Sequence, residues 1–346
     1  MKKKSLFKVL AILAVFALLL WLLQLLVMPK YMSETREGAM IAEYYGDKSS
    51  HDVIFVGDCE VYESFSPVTL WREYGITSWI RGSAQQLIWQ SYYLMEDTLR
   101  HETPKVFVFN IQSLQYGEPQ KEEYNRMSLD GMRWSPVKVK AIRASMCEDE
   151  SFASYLFPIL RYHERIFSLK KEDFHYLFHR DGVTQNGYLM NVGVDPYKGS
   201  EFPIPLADYT FSPNAVSYLD KMVALCEESG VQLVFVKAPS IAVTWYPEWE
   251  QQVEAYAAGK GIPYYNFLEL TGEIGLDFSV DTYDHGQHLN LSGAEKLSRY
   301  FGKLLQENCS LPDHRADAAL AAAWSEKEQL YEQEKERLLS KSEAAK

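Results

Sequence analysis

Three short stretches of this sequence hold residues whose types and spacing suit acyl-group chemistry. The first is Val56-Gly-Asp-Cys-Glu60, in which Cys59 follows an apolar run that ends at Gly57. A side chain at the turn from a strand into a helix is presented at the sheet edge, and the amides beyond it can hold a developing oxyanion. A cysteine in that place can serve as a nucleophile, with a lowered pKa if a histidine or a helix N-terminus is near. The second stretch is Asp284-His-Gly-Gln-His-Leu-Asn290. There His288 is placed to act as general base, with Asp284 or Asp281 orienting its imidazole. The third feature is a pair of oxyanion candidates, the Gly82 amide and the Asn110 side-chain amide. Each residue also has a plainer reading. Cys59 can be a buried structural thiol, Gly82 a turn residue and Asn110 a strand-end cap.

The elements that must position these residues follow from the hydropathy pattern. Asp52–Asp58, Ile76–Ile80, Lys105–Ile111, Val231–Lys237 and Ile262–Phe267 are short apolar runs of the kind that form buried parallel strands. Between them the pattern predicts helices over Pro67–Tyr74 (capped by Ser66), Gln85–Arg100, Pro213–Gly230, Pro247–Lys260 and Ser292–Glu307. The last opens with an apparent capping box, Ser292 to Glu295. Strands alternating with helices imply an α/β fold, a mostly parallel sheet with helices on both faces. Ligands then gather at the carboxyl ends of the strands. From about residue 112 to 207 the alternation stops, and helical pieces are expected over Val137–Met146, Phe152–Phe167 and Lys171–His179. This reads as a largely helical insertion, a lid or a partner surface. His175 and His179 stand one helical turn apart but lack the glutamate of a zinc-binding helix, so they are expected to pack. No metal and no cofactor is called for. The four cysteines are too few for a disulfide scaffold.

The two ends carry their own signals. Residues 1–30 begin Met-Lys-Lys-Lys and run uncharged from Val9 to Met28. As a helix that stretch spans about 30 Å, the thickness of a bilayer core. The basic flank favours a cytoplasmic start. A cleaved signal peptide is the competing reading, but Leu26 to Tyr31 offers no small-residue cleavage site. We therefore expect a single-pass anchor, an extracytoplasmic domain over 50–312, and a charged helix over 313–346. In that helix Leu320, Trp324, Tyr331 and Leu338 form a thin apolar stripe. It is expected to project, as a solvated tail or as a docking helix. Apolar residues at 47% and charged residues at 24% exclude a disordered chain and a multi-span membrane protein. The net charge of −12 excludes a nucleic-acid binder.

In order along the chain these features run Gly-Asp-Cys near the start, Gly82, Asn110, then Asp…His-Leu-Asn near the end. Over residues 50–112 and 208–308 the sequence thereby resembles the SGNH/GDSL hydrolase superfamily. The anchor, the Gly-Asp-Cys-Glu turn and the His288-Leu-Asn-Leu-Ser-Gly-Ala-Glu295 ending are similar to a membrane-anchored branch. That branch includes the teichoic acid D-alanine transfer protein and the alginate-type O-acetylation proteins. The resemblance implies a flavodoxin-like three-layer α/β/α fold. It implies Cys59 as nucleophile, Gly82 and Asn110 as oxyanion residues, His288 as base and Asp284 as the orienting acid. The implied activity is esterase or acyltransferase chemistry on envelope polysaccharide or teichoic acid, beside a membrane-bound O-acyltransferase. A non-catalytic glycan-binding or docking partner and a plain carbohydrate esterase are the rival expectations. Two departures stand out. Cys59 replaces the usual serine, and the acid lies four residues before the histidine rather than three, with His285 in the usual place.

Overall fold

Five strands form one sheet in this computed structural model, which describes residues 3–29, 36–179, 182–199 and 204–344. They are β1 (Val53–Gly57), β2 (Ser78–Gly82), β3 (Val106–Asn110), β4 (Gln232–Lys237) and β5 (Tyr264–Asn266). The order is β2-β1-β3-β4-β5, and every neighbouring pair is parallel. Strand order reverses between β1 and β3, the point at which such sheets open a crevice at their carboxyl ends.

Side-chain alternation splits the core in two. Ile54, Val56, Phe107, Phe109 and Phe235 face the helices Ile88–Thr98, Pro136–Ser145, Pro213–Ser229 and Pro247–Lys260. Val53, Phe55, Val106, Val108 and Val236 face Cys59–Ser64, Pro67–Tyr74, Leu291–Cys309 and Ala318–Ala344. Both faces are covered, which is why the strands read as unbroken apolar runs. Helix ends follow local chemistry. Ser66 accepts a hydrogen bond from the Thr69 amide at 3.2 Å, and Pro67 takes the first helical position. Gly230 ends its helix at φ 67°.

Several boundaries differ from those expected. β2 begins at Ser78, because pairing with β1 sets Ser78 opposite Val53 and carries the strand on to Gly82. Gly82 therefore closes the strand instead of following it. The next helix starts at Ile88, after a turn in which Gln85 takes a left-handed conformation, φ 47°. The span 152–167 is broken at Pro158, which has no amide hydrogen to continue a helix. It becomes Phe152–Leu156, Ile159–Tyr162 and a 3-10 turn, His163–Phe167. The following helix stops at His175. Asn290, not Ser292, caps the helix Leu291–Cys309 by accepting from the Gly293 amide at 3.2 Å. The insertion is also less separate than expected, since Leu129, Val137, Ile142 and Tyr155 belong to the first core.

The C-terminal helix Ala318–Ala344 does not project. Trp324 and Tyr331 are fully buried in the second core. The Trp324 ring stacks on Trp71 at 5.0 Å and 12°. Lys327 reaches Asp47 at 2.5 Å, and Arg72 reaches Glu332 at 2.8 Å. The thin stripe is enough because Trp324 stacks on Trp71 and Tyr331 lies against Tyr188 and Ser66. At the other end, Lys3–Val27 is one helix, and its segment Ser5–Val27 is long and apolar enough to cross a membrane.

Candidate functional site

The strand end at β1 is tight. Gly57 sits at φ 153°, and a Cβ there would meet Val61 Cγ2 at 2.5 Å and Asn110 Cβ at 3.0 Å. Only glycine lets β1 turn this close to β3 into the helix Cys59–Ser64. Asp58 caps that helix, its carboxylate accepting from the Glu60 amide at 3.2 Å. Cys59 is the first helical residue, partly buried and with a free thiol. Its own amide has no carbonyl to reach within the helix. Gly82 lies beside this turn, where a Cβ would meet the carbonyl oxygens of Gly57 at 3.1 Å and Asp58 at 3.4 Å.

The histidine arrives on a loop that folds back on itself. Thr282 Oγ1 donates to the His288 carbonyl at 2.8 Å and accepts from the Gly286 amide at 2.8 Å. His285 and Gly286 take left-handed conformations, φ 60° and 90°. This bend aims Asp284 at His288. Its carboxylate accepts from the His288 amide at 2.8 Å and from Nδ1 at 2.6 Å. His285 turns outward and pairs with Asp195 at 3.0 Å. Asp281 is fully buried elsewhere, held by Lys296 at 2.6 Å and the Asp277 amide at 2.8 Å. So the loop brings Asp284 to the ring, and Asp281 stays away from it.

His288 is also near enough to the Cys59 thiol for each to shift the other's proton affinity. Nδ1 is taken by Asp284, which leaves Nε2 as the ring nitrogen for a thiol proton. Carboxylate, imidazole and thiol are thus brought into one neighbourhood. A second carboxylate joins them. Glu63 Oε2 lies 3.3 Å from Nδ1 and accepts from the Tyr283 hydroxyl. The Tyr283 ring stacks on His288 at 6.1 Å and 18°. Sequence reasoning missed Glu63. Its signal was present, since it stands four residues after Cys59 and so on the same side of one helical turn.

Burial pushes the Cys59 thiol up to about 11, with His288 pulling the other way. The lowered thiol pKa expected at this turn is therefore not found. Burial works against a charged His288 ring. The Asp284 bond, the Cys59 thiol and the nearby Glu63 outweigh it and raise the imidazolium to about 12. At neutral pH the resting pair is thiol and imidazolium. The nucleophilic form, thiolate beside imidazolium, appears on loss of one proton.

Behind Cys59 lies a buried polar network. Asn110 Nδ2 donates to Asp58 at 3.1 Å and to Glu60 at 2.9 Å, and its Oδ1 accepts from the Ala238 amide at 3.1 Å. Both amide hydrogens are spent on carboxylates, so this arrangement leaves none for an oxyanion. Lys237, fully buried at the end of β4, holds both Glu60 oxygens at 2.9 and 3.0 Å. Burial, then the Glu60 charge, raises Asp58 to about 7, with Lys237 and Asn110 opposing. Glu60 and Lys237 were also missed, because nothing local to either residue announces a partner on another strand.

Among the described residues, one group of side chains has the donors to hold a metal ion. The ligand atoms of Glu63, Asp284 and His288 lie within 4.8 Å of one another. A cation there would have to displace the Nδ1 proton that Asp284 and Glu63 share. Neither a protein-family model nor a curated protein matches this chain, so its geometry carries the functional reading.

Proposed function

We propose that the chain is a membrane-anchored, extracytoplasmic enzyme of the SGNH/GDSL type that moves acyl groups through Cys59. One observation carries the reading, the grouping of Cys59, His288 and Asp284, with Nδ1 held at 2.6 Å by the carboxylate. In the first half-reaction the Cys59 thiolate attacks the carbonyl carbon of an acyl ester. A C–S bond forms, and the carbonyl electrons move to an oxyanion that the Cys59 and Gly82 amides stabilise. Collapse breaks the C–O bond, and the His288 imidazolium protonates the departing alkoxide. In the second half-reaction a hydroxyl gives its proton to His288 and attacks the thioester, releasing the thiolate. With a glycan or teichoic acid hydroxyl this is transfer, and with water it is hydrolysis. Asp284 orients the ring and balances its charge. In this picture the N-terminal helix spans the membrane with its basic end inside, and holds the site near a membrane-bound O-acyltransferase.

The test is an activated-ester or fluorophosphonate probe on the purified protein, with the label located by mass spectrometry. Label on Cys59 that disappears in both Cys59→Ala and His288→Ala supports the reading. No label on a protein of unchanged circular dichroism overturns it. Release of acid from a simple ester without transfer to added oligosaccharide marks the carbohydrate esterase. A second reading, a non-catalytic partner of an acyltransferase, is favoured by one observation. Asn110 donates only to carboxylates, and burial of the thiol works in the same direction.

A further inference from the structure

We propose that the short helical segments between Phe152 and His179 lie in the membrane interface and seat the protein on lipid. This rests on reading Ser5–Val27 as the membrane span. The segments carry the large apolar side chains Phe157, Leu160, Ile166, Phe167, Phe174 and Phe178 at the surface. Phe167 is 92% exposed and Phe178 is 91% exposed. A soluble surface rarely gathers so many large apolar groups without something to cover them.

Continuity with the N-terminal helix identifies the covering material. That helix is bare from Ser5 to Leu19 and becomes partly covered from Leu23 onward, with Val27 buried. It contacts Ile159–Tyr162, His163–Phe167 and Lys171–His175. The apolar groups therefore sit beside the end of the span, at the depth where acyl chains give way to headgroups. The polar groups of these segments suit that depth. Arg161 is paired with Glu122 at 3.1 Å and Arg165 with Asp173 at 2.9 Å, so neither cation is left to seek water alone. Residues 152–179 carry Arg161, Arg165, Lys170 and Lys171 against Glu164, Glu172 and Asp173, which is close to balance. Binding then comes from apolar insertion and not from attraction to anionic lipid.

The experiment uses the full chain in phosphatidylcholine nanodiscs that contain a phosphatidylcholine with a diazirine on its acyl chain. After photolysis, labelled residues are mapped by mass spectrometry. The expected result is label in 5–27 and in 156–178. The double substitution Phe167→Glu, Phe178→Glu changes two exposed side chains and no core contact. It should keep the label in 5–27 and lose most of that in 156–178. Label confined to 5–27 overturns the seat, leaves the anchor standing, and marks the patch as a protein-binding face. Label in 156–178 that survives the double substitution also overturns it, because apolar insertion is then not the cause. Label in neither segment removes the reading of the span itself.

Discussion

His288 has Asp284 and Glu63 on one nitrogen and the Cys59 thiol nearby, and its charge state governs what the site can do. With thiol and imidazolium both holding their protons at neutral pH, the reactive pair is a minor species. Labelling of Cys59 should therefore rise about tenfold per pH unit between pH 6 and 9. A flat profile would mean that the thiolate is already formed. Glu63→Gln removes a negative charge that holds the Cys59 thiol pKa up, so its profile should shift toward lower pH. Asp284→Asn removes the group that fixes the ring, and should slow labelling by ~100-fold or more. Stability has the opposite slope. The folded His288 pKa lies above its unfolded value, so its stabilising contribution is full below about pH 6.5 and drains as pH climbs toward the folded value. Urea midpoints measured from pH 6 to 9 should fall more steeply for the native protein than for His288→Gln. Zinc ions should compete with the Nδ1 proton, and so inhibit labelling more strongly at higher pH. At this scale the sequence was informative where chemistry is local. Cys59, Asp284 and His288 each carry a recognisable neighbourhood, whereas Glu63 and Lys237 take their meaning only from partners brought near by folding.

The strand ends are joined by side chains, and this makes them sensitive to single changes. Lys237 on β4 holds Glu60, and Asn110 on β3 holds Glu60 and Asp58. Lys237→Met leaves a carboxylate buried without its cation, which should cost about 3–5 kcal/mol. Adding Glu60→Gln should restore much of that loss, and thermal melts of the single and double variants decide it. The helix Ala318–Ala344 is held in the same way by packing. Trp324→Ala removes the ring stacked on Trp71 and should cost about 3–5 kcal/mol, read as a lower melting temperature. Element types were legible because both sheet faces are covered and the strands are uniformly apolar. The fate of the last helix was not legible. Its stripe of Trp324, Tyr331 and Leu338 is narrow, and the Trp71 surface that receives it lies far away in the chain.

For the whole molecule, hydropathy periodicity gave an α/β sandwich but not the order of its strands. Periodicity records which faces are buried and says nothing of which strand lies beside which. The insertion was recognised by the loss of alternation, yet part of it joins the main core through Leu129, Val137 and Tyr155. The same segment turns Phe167 and Phe178 outward, and its helical pieces contact the N-terminal helix.

The placement of the last helix also governs the order of events during synthesis. Trp324 stacks on Trp71, Tyr331 lies by Ser66, and Lys327 pairs with Asp47. Each contact joins residues far apart in the sequence. Such long-range closure comes slowly and only after the loops between have formed. A nascent chain that has completed all five strands still exposes the apolar flank of Pro67–Tyr74, and its folding ends only when residues 318–344 arrive. Ribosome-stalled chains cut at residue 313 should therefore remain sensitive to protease around Trp71, and chains extended to residue 344 and released should not.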